Sequence, residues 1–208
     1  MSKNNKILNH PLINDKLTLM RSTSTNNTTF AKLLKEISSL MVYELALSFP
    51  SLPKEVLTPL QSHMGSRLAK GVVLAPVLRA GLGMLEAVRE LIPQSSVAFI
   101  GLKRDEKSLK PLCYYENFPQ NLSKAQVVVL DPMLATGGSL IMAVDILKRQ
   151  GAKDISYLGL LAAPEGLRAL NAAHPEVRAI IAAMDERLDE NGYIRPGLGD
   201  AGDRLYGL

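Results

Sequence analysis

A chain of 208 residues with 47% apolar and 21% charged residues has the balance of a folded globular protein and enough length to bury a full α/β core. That balance excludes a disordered chain, and no apolar run approaches the ~18 residues of a spanning helix, so no membrane partner is expected. The formal charge of +4 is spread out apart from small groups such as Lys103-Arg104 and Lys148-Arg149; it gives no nucleic-acid footprint and suits a small anionic ligand better.

The first residues, Met1 to Lys6, lead into a short mixed stretch broken by Pro11, without the apolar core and cleavage site of a secretory signal. A cytoplasmic protein is expected. The Ser/Thr/Asn-rich stretch at 22–29 offers several N-caps for an amphipathic helix over 30–48, where Phe30, Leu33, Leu34, Ile37, Leu40, Met41 and Leu45 recur at helical spacing. Residues 53–70 stay open between a helix and an extended arm, because Pro59 and Gly65 interrupt the pattern.

Four continuous apolar runs of strand length follow, Val72-Val73-Leu74-Ala75, Val97-Ala98-Phe99-Ile100, Val127-Val128-Val129-Leu130 and Ile155 to Leu161, with a fifth candidate at Ala179 to Ala182. Continuous apolarity means strands covered on both faces, as in a parallel sheet. Helical patterns lie between them: Met84 to Leu91, Leu140 to Gln150, and Glu165 to Ala173. The alternation predicts an α/β fold with a doubly wound, mainly parallel sheet, whose ligands sit beyond the carboxyl ends of the strands. The tail from Asp185 to Leu208, rich in glycine, has the composition of a loose terminus.

The loops after the strands therefore carry the interest. Behind Leu130 come Asp131-Pro132-Met133-Leu134-Ala135-Thr136-Gly137-Gly138-Ser139, and then a helix. Strand, glycine loop and helix start together make an anion site, because free backbone N–H groups and the positive end of the helix dipole converge there. Gly137 and Gly138 let the backbone approach the oxygens, Thr136 and Ser139 add hydroxyls, and Asp131 can accept hydrogen bonds from vicinal sugar hydroxyls. Met133 and Leu134 are expected to pack under the loop. No Lys follows the glycines and no GxGxxG is present, which favours a phosphomonoester over a triphosphate or dinucleotide. The same residues also suit a plain βα turn with Asp131 as a strand-end cap.

Two further segments fit an anion. Pro76-Val77-Leu78-Arg79-Ala80-Gly81-Leu82-Gly83 sets a cation before a glycine turn, although by itself the segment reads better as a tight turn with Arg79 paired to a surface carboxylate. Gly101-Leu102-Lys103-Arg104-Asp105-Glu106 follows the second strand, and is otherwise a solvated loop. Cys113 has no partner at disulfide or metal spacing, and His10, His63 and His174 stand apart from any nucleophile pattern, so structural roles are expected for the histidines.

Val128 to Ser139 resembles the PRPP-binding motif of the type I phosphoribosyltransferases, in the form of their uracil branch, where Asp131-Pro132 replaces two adjacent acidic residues. The tail Asn191-Gly192-Tyr193-Ile194-Arg195-Pro196-Gly197-Leu198-Gly199-Asp200-Ala201-Gly202-Asp203-Arg204 resembles that branch's uracil-recognition hood, and the likeness extends over nearly the whole chain. It implies one domain, with an N-terminal helix and arm at 1–70, a core at 71–184 and a hood at 185–208. It further implies PRPP on the loop from Asp131 to Ser139 with Arg79 and Arg104 on the diphosphate, and uracil against Ile194, Gly199 and Ala201. Asp200 would face the ribose or its Mg²⁺ and is the candidate for a part in catalysis. GTP activation is known in some relatives, and a homodimer or larger assembly is expected from the exposed apolar helix and arm. Departures lie in the loop at 22–29, at Ala31, and in the arm around 56–70. An RNA-binding regulator on the same fold is the rival reading; it calls for a concentrated basic face, which this sequence lacks. A relative acting on another base is the second.

Overall fold

The computed structural model describes residues 5–104 and 111–208, with the side chain of Arg104 outside that set. In chain order the strands are β1 Lys6–Ile7, β2 Ser51–Leu57, β3 Ser62–Leu68, β4 Val72–Leu78, β5 Ser96–Val97, β6 Phe99–Arg104, β7 Pro111–Asn117, β8 Gln126–Leu130, β9 Met133–Leu134, β10 Asp154–Ala162, β11 Arg178–Met184, β12 Arg187–Leu188 and β13 Ile194–Arg195. The helices are α1 Pro11–Arg21, α2 Asn27–Ala46, α3 Leu82–Leu91, α4 Gly138–Arg149, α5 Pro164–Ala173 and α6 Ala201–Tyr206.

The predicted parallel sheet is present, in the order β1-β11-β10-β8-β4-β6-β7. Every pair along that path is parallel except β6 with β7. The apolar runs explain this: β4, β8 and β10 are buried almost from end to end, so both faces need cover. On one face, α1, α2 and α3 supply Met20, Phe30, Leu34, Met41 and Met84; on the other, α4 and α5 supply Leu140, Val144, Leu147 and Leu170.

The chain enters the sheet centre at β4, builds outward to β7, then returns to β8 on the other side of β4 and builds outward again. The reversal makes β4 and β8 the switch point, and the loops leaving their carboxyl ends, at 79–81 and 131–137, flank one crevice.

Three segments take a more definite form than the sequence expectation gave them. The mixed stretch at Pro11 is helix α1: proline sits in its first turn, and the His10 side chain caps it by accepting from Leu12 N at 3.2 Å. The open segment at 53–70 is an antiparallel hairpin, β2 with β3, exposed along nearly its whole length. The tail is ordered, with β12 paired to β13 and α6 closing the chain. No described helix is long and apolar enough to cross a membrane.

Candidate active site

A cavity of about 410 Å³ opens at the switch point, lined from three directions. The β4 loop contributes Leu78, Arg79 and Ala80, the β8 loop contributes Asp131, Met133 and Ser139, and the tail contributes residues 191–193 and 199–202. A niche of about 30 Å³ adjoins it, formed by residues 133–140 with Thr136, Gly137 and Gly138 at its centre. A larger hollow of about 890 Å³ lies elsewhere, among α1, α2 and the base of the hairpin; it is apolar and contains neither glycine loop, so it is a poor place for an anionic ligand.

Local chemistry explains the loop shapes. Gly137 takes φ of +87°, a left-handed conformation open to glycine at little cost, and so turns the chain into the first turn of α4. Gly81 packs so tightly on the sheet that an added Cβ would overlap Leu130 O and Val77, so only glycine lets the β4 loop lie beside the end of β8. The Leu78–Arg79 peptide is cis.

Asp131 projects into this cavity from the end of β8, with Oδ1 accepting from Met133 N at 3.3 Å. Loss of water around the carboxyl raises its pKa from 3.8 to about 7, partly offset by the Met133 N–H, with the Asp200 carboxylate adding a smaller upward push. Asp131 and Asp200 both line this one cavity. Asp200 caps α6 by accepting from Asp203 N at 2.9 Å, and Asp203 lies 3.7 Å from the Arg79 guanidinium across exposed surface. The Tyr206 hydroxyl donates to Arg79 O at 3.2 Å, so α6 touches the β4 loop twice.

The tail is held by residues that sequence reasoning passed over. Arg21 donates Nη1 and Nη2 to the two oxygens of buried Asp185, and Asp185 Oδ2 also accepts from Gly197 N at 2.9 Å. Asp189 accepts from Asn191 N, Tyr193 N and Arg195 Nε, which shapes the turn at 191–193; the Tyr193 N–H chiefly holds its carboxyl below the usual range. Arg204 donates to four carbonyls, Met20, Leu198, Ser22 and Thr25, and its guanidinium lies 4.5 Å over the Phe30 ring. Acid–glycine alternation in the tail was the available signal, but the ties of Asp185 to Arg21 and of Arg204 to Met20 span more than 150 residues of sequence.

Of the residues singled out from sequence, Arg79, Asp131, Met133, Ser139, Gly199, Asp200 and Ala201 meet around the cavity. Leu134, Ala135, Thr136, Gly137 and Gly138 line the niche. Leu134 packs beneath the loop as expected, but Met133 is half-buried and faces the cavity. Pro132 lines neither space; its carbonyl is occupied by Leu160 N and Leu161 N. Ile194 buries its side chain in the core and has only its backbone to offer a ligand. Arg104 ends β6, but its side chain, together with residues 105–110, lies outside the described residues. His10 and His174 make structural contacts, and Cys113 is unpaired.

The family model described as uracil phosphoribosyltransferase matches residues 7–208. This chain belongs to that family. It is 50% identical over 203 residues to the uracil phosphoribosyltransferase of Pediococcus pentosaceus, covering 97% of each chain. The Ureaplasma parvum relative of the same name is also 50% identical, over 97% of this chain and 98% of its own. Among solved structures, the AQ2163 protein from Aquifex aeolicus superimposes with a TM-score of 0.93 at 38% identity, covering 98% of both chains. An adenine phosphoribosyl transferase from Trypanosoma brucei shares the fold at a TM-score of 0.61 and 13% identity, over 95% of this chain and 88% of that one.

Proposed function

We propose that the chain transfers the 5-phosphoribosyl group of PRPP to uracil, giving UMP and diphosphate. The observation that carries this reading is the convergence of Asp131 and the 199–202 turn on one cavity, with the glycine niche at its side. In this reading the 5′-phosphate lies in the niche, where the first N–H groups of α4 lack helical partners. Asp131 accepts from the ribose hydroxyls, and Arg79 and Arg104 meet the diphosphate.

Uracil offers O2, N3–H and O4, which the backbone of Ile194, Gly199 and Ala201 meets with N–H and C=O groups. An N–H aimed at O4 rejects cytosine, whose amino group is a second donor; an unpaired buried donor costs ~1–3 kcal/mol. Displacement at the anomeric carbon by N1 of uracil passes through an oxocarbenium-like state. The protein's part is to align both substrates and to stabilise the departing diphosphate, which favours no single side chain as base. Asp200 is the candidate for a catalytic part, because it lines the same cavity as Asp131.

Asp131 and Asp200 fit a divalent ion brought in by the substrate, because two acids share the cavity. Mg²⁺ bound there would neutralise diphosphate charge.

The same proposal takes the whole chain as one functional unit, since residues near both ends clasp the hood. It is cytoplasmic, in keeping with the unpaired Cys113. It also forms a homodimer in which a second copy covers the apolar hollow and the exposed hairpin side chains Leu57, Leu60 and Met64. GTP activation rests on resemblance alone and enters as an assay variable.

The test is a panel of uracil, cytosine, hypoxanthine and orotate, each with PRPP and Mg²⁺. UMP formation from uracil alone is expected. Turnover of another base in preference to uracil, or none with any base, would sink the proposal.

A further inference from the structure

Tyr157 is fully buried in the middle of β10, within the apolar layer under α4, and the mechanism above makes no use of it. Its hydroxyl donates to the backbone carbonyl of Asp131 at 2.7 Å. That carbonyl needs the bond. Asp131 N joins the β8–β10 ladder through Leu158 O, but the next rung skips a residue, because Leu160 N goes to Pro132 O. No backbone N–H reaches Asp131 O among the described residues, so the loop leaves β8 with a carbonyl turned into the interior. Burial pushes the Tyr157 hydroxyl well above its ordinary pKa, so it remains a donor.

Gly159 completes the device. It lies two residues along the same strand, hence on the same face, and an added Cβ would overlap the Tyr157 hydroxyl and ring. The strand thus pairs its bulkiest buried side chain with an empty position, over which the ring lies to reach Asp131.

We infer that Tyr157 is a positioning residue for transfer from PRPP: by holding the Asp131 carbonyl from inside the sheet it sets the direction in which the Asp131 carboxyl enters the cavity, and Gly159 leaves it the room to do so. The inference rests on the proposed role of Asp131 with the ribose.

Tyr157→Phe keeps the ring and removes the bond. The expected result is a KM for PRPP raised about tenfold, with kcat and the KM for uracil within about twofold of the wild type, because a small misplacement of a binding group falls on the substrate it holds. Gly159→Ala displaces the ring and should act in the same direction, and it decides the question alone if the first variant does not fold. Combining the two should add little to either, since both act through one hydrogen bond. Val144→Ala, in the same layer, serves as the control: it should lower Tm without moving either KM. An unchanged KM for PRPP in folded Tyr157→Phe or Gly159→Ala, or an equal rise in both KM values, overturns the inference. Asp131→Ala separates this from the parent reading: if that variant leaves PRPP kinetics unchanged, the ribose assignment itself fails.

Discussion

Arg21 and Asp185 stand 164 residues apart in sequence and meet through two nearly parallel hydrogen bonds of 2.6 and 2.8 Å. The Asp185 side chain is 5% exposed and also receives Gly197 N, while Arg21 reaches Gly197 O at 2.7 Å, so the pair grips both sides of the glycine turn at Gly197. Removing one member of a buried pair strands the other. Asp185→Ala should therefore cost about 3–5 kcal/mol of stability and raise the KM for uracil more than that for PRPP, as thermal unfolding and initial rates with each substrate varied would reveal. Equal effects on both substrates would argue against a hood that serves the base.

Asp131 makes stability depend on pH in a definite direction. Its folded pKa of about 7 exceeds the unfolded 3.8, so the fold favours the protonated form; this contribution is complete below pH 3.8 and disappears as pH rises through 7. The wild type should lose ground to Asp131→Asn between pH 4 and 8, with Tm measured for both across that range. A constant difference would mean that the carboxyl is not held from water. PRPP binding should show the opposite trend, strengthening in the wild type relative to Asp131→Asn from pH 6 to 8 as the acceptor ionises.

Gly137→Ala places a side chain at φ of +87°, with the new Cβ 3.0 Å from Gly166 O and 3.1 Å from Ala169 Cβ. The left-handed conformation alone costs ~1–2 kcal/mol, and relief comes by moving the loop. The KM for PRPP should rise by about an order of magnitude or more while the KM for uracil holds. Gly71→Ala, with nothing within 4 Å of the new atom, is the matched control.

The hairpin gives a prediction about assembly. Leu57 is 86% exposed and Leu60 95% exposed, so neither supports the fold of its own copy. Leu57→Glu with Leu60→Glu should shift sedimentation from dimer to monomer at unchanged far-ultraviolet circular dichroism. A wild type that sediments as a monomer at every concentration would refute the assembly outright.

How far the sequence reaches can be seen element by element. Strands β4, β8 and β10 were legible because burial on both faces leaves an unbroken apolar run, and α4 because its pattern begins directly after a glycine loop. Strand β7 was not, since Pro111–Asn117 is an exposed edge strand in which Leu112, Tyr114 and Tyr115 follow neither an alternation nor a buried apolar run. Helix α1 was hidden by Pro11, which breaks a helix from within but suits its first turn.

The residues lining the cavity were visible as loop motifs, because glycine and strand-end position leave local marks. The residues that hold them were not: Asp185 and Tyr157 act through partners that no local pattern reveals. Arg204 was seen as part of a family stretch, yet its work, four carbonyls gathered from both ends of the chain, belongs to the fold alone.

That clasp sets an order on the making of the protein. The loop from Asp131 to Ser139 has its supports within β8, α4, β10 and α5, all translated by residue 173. The hood instead waits for Arg204, translated after that loop, to return to carbonyls at Met20, Ser22 and Thr25 that precede both. A nascent chain that has not reached Arg204 has its glycine loop in hand and its hood unlatched, so the two halves of the cavity mature at different times.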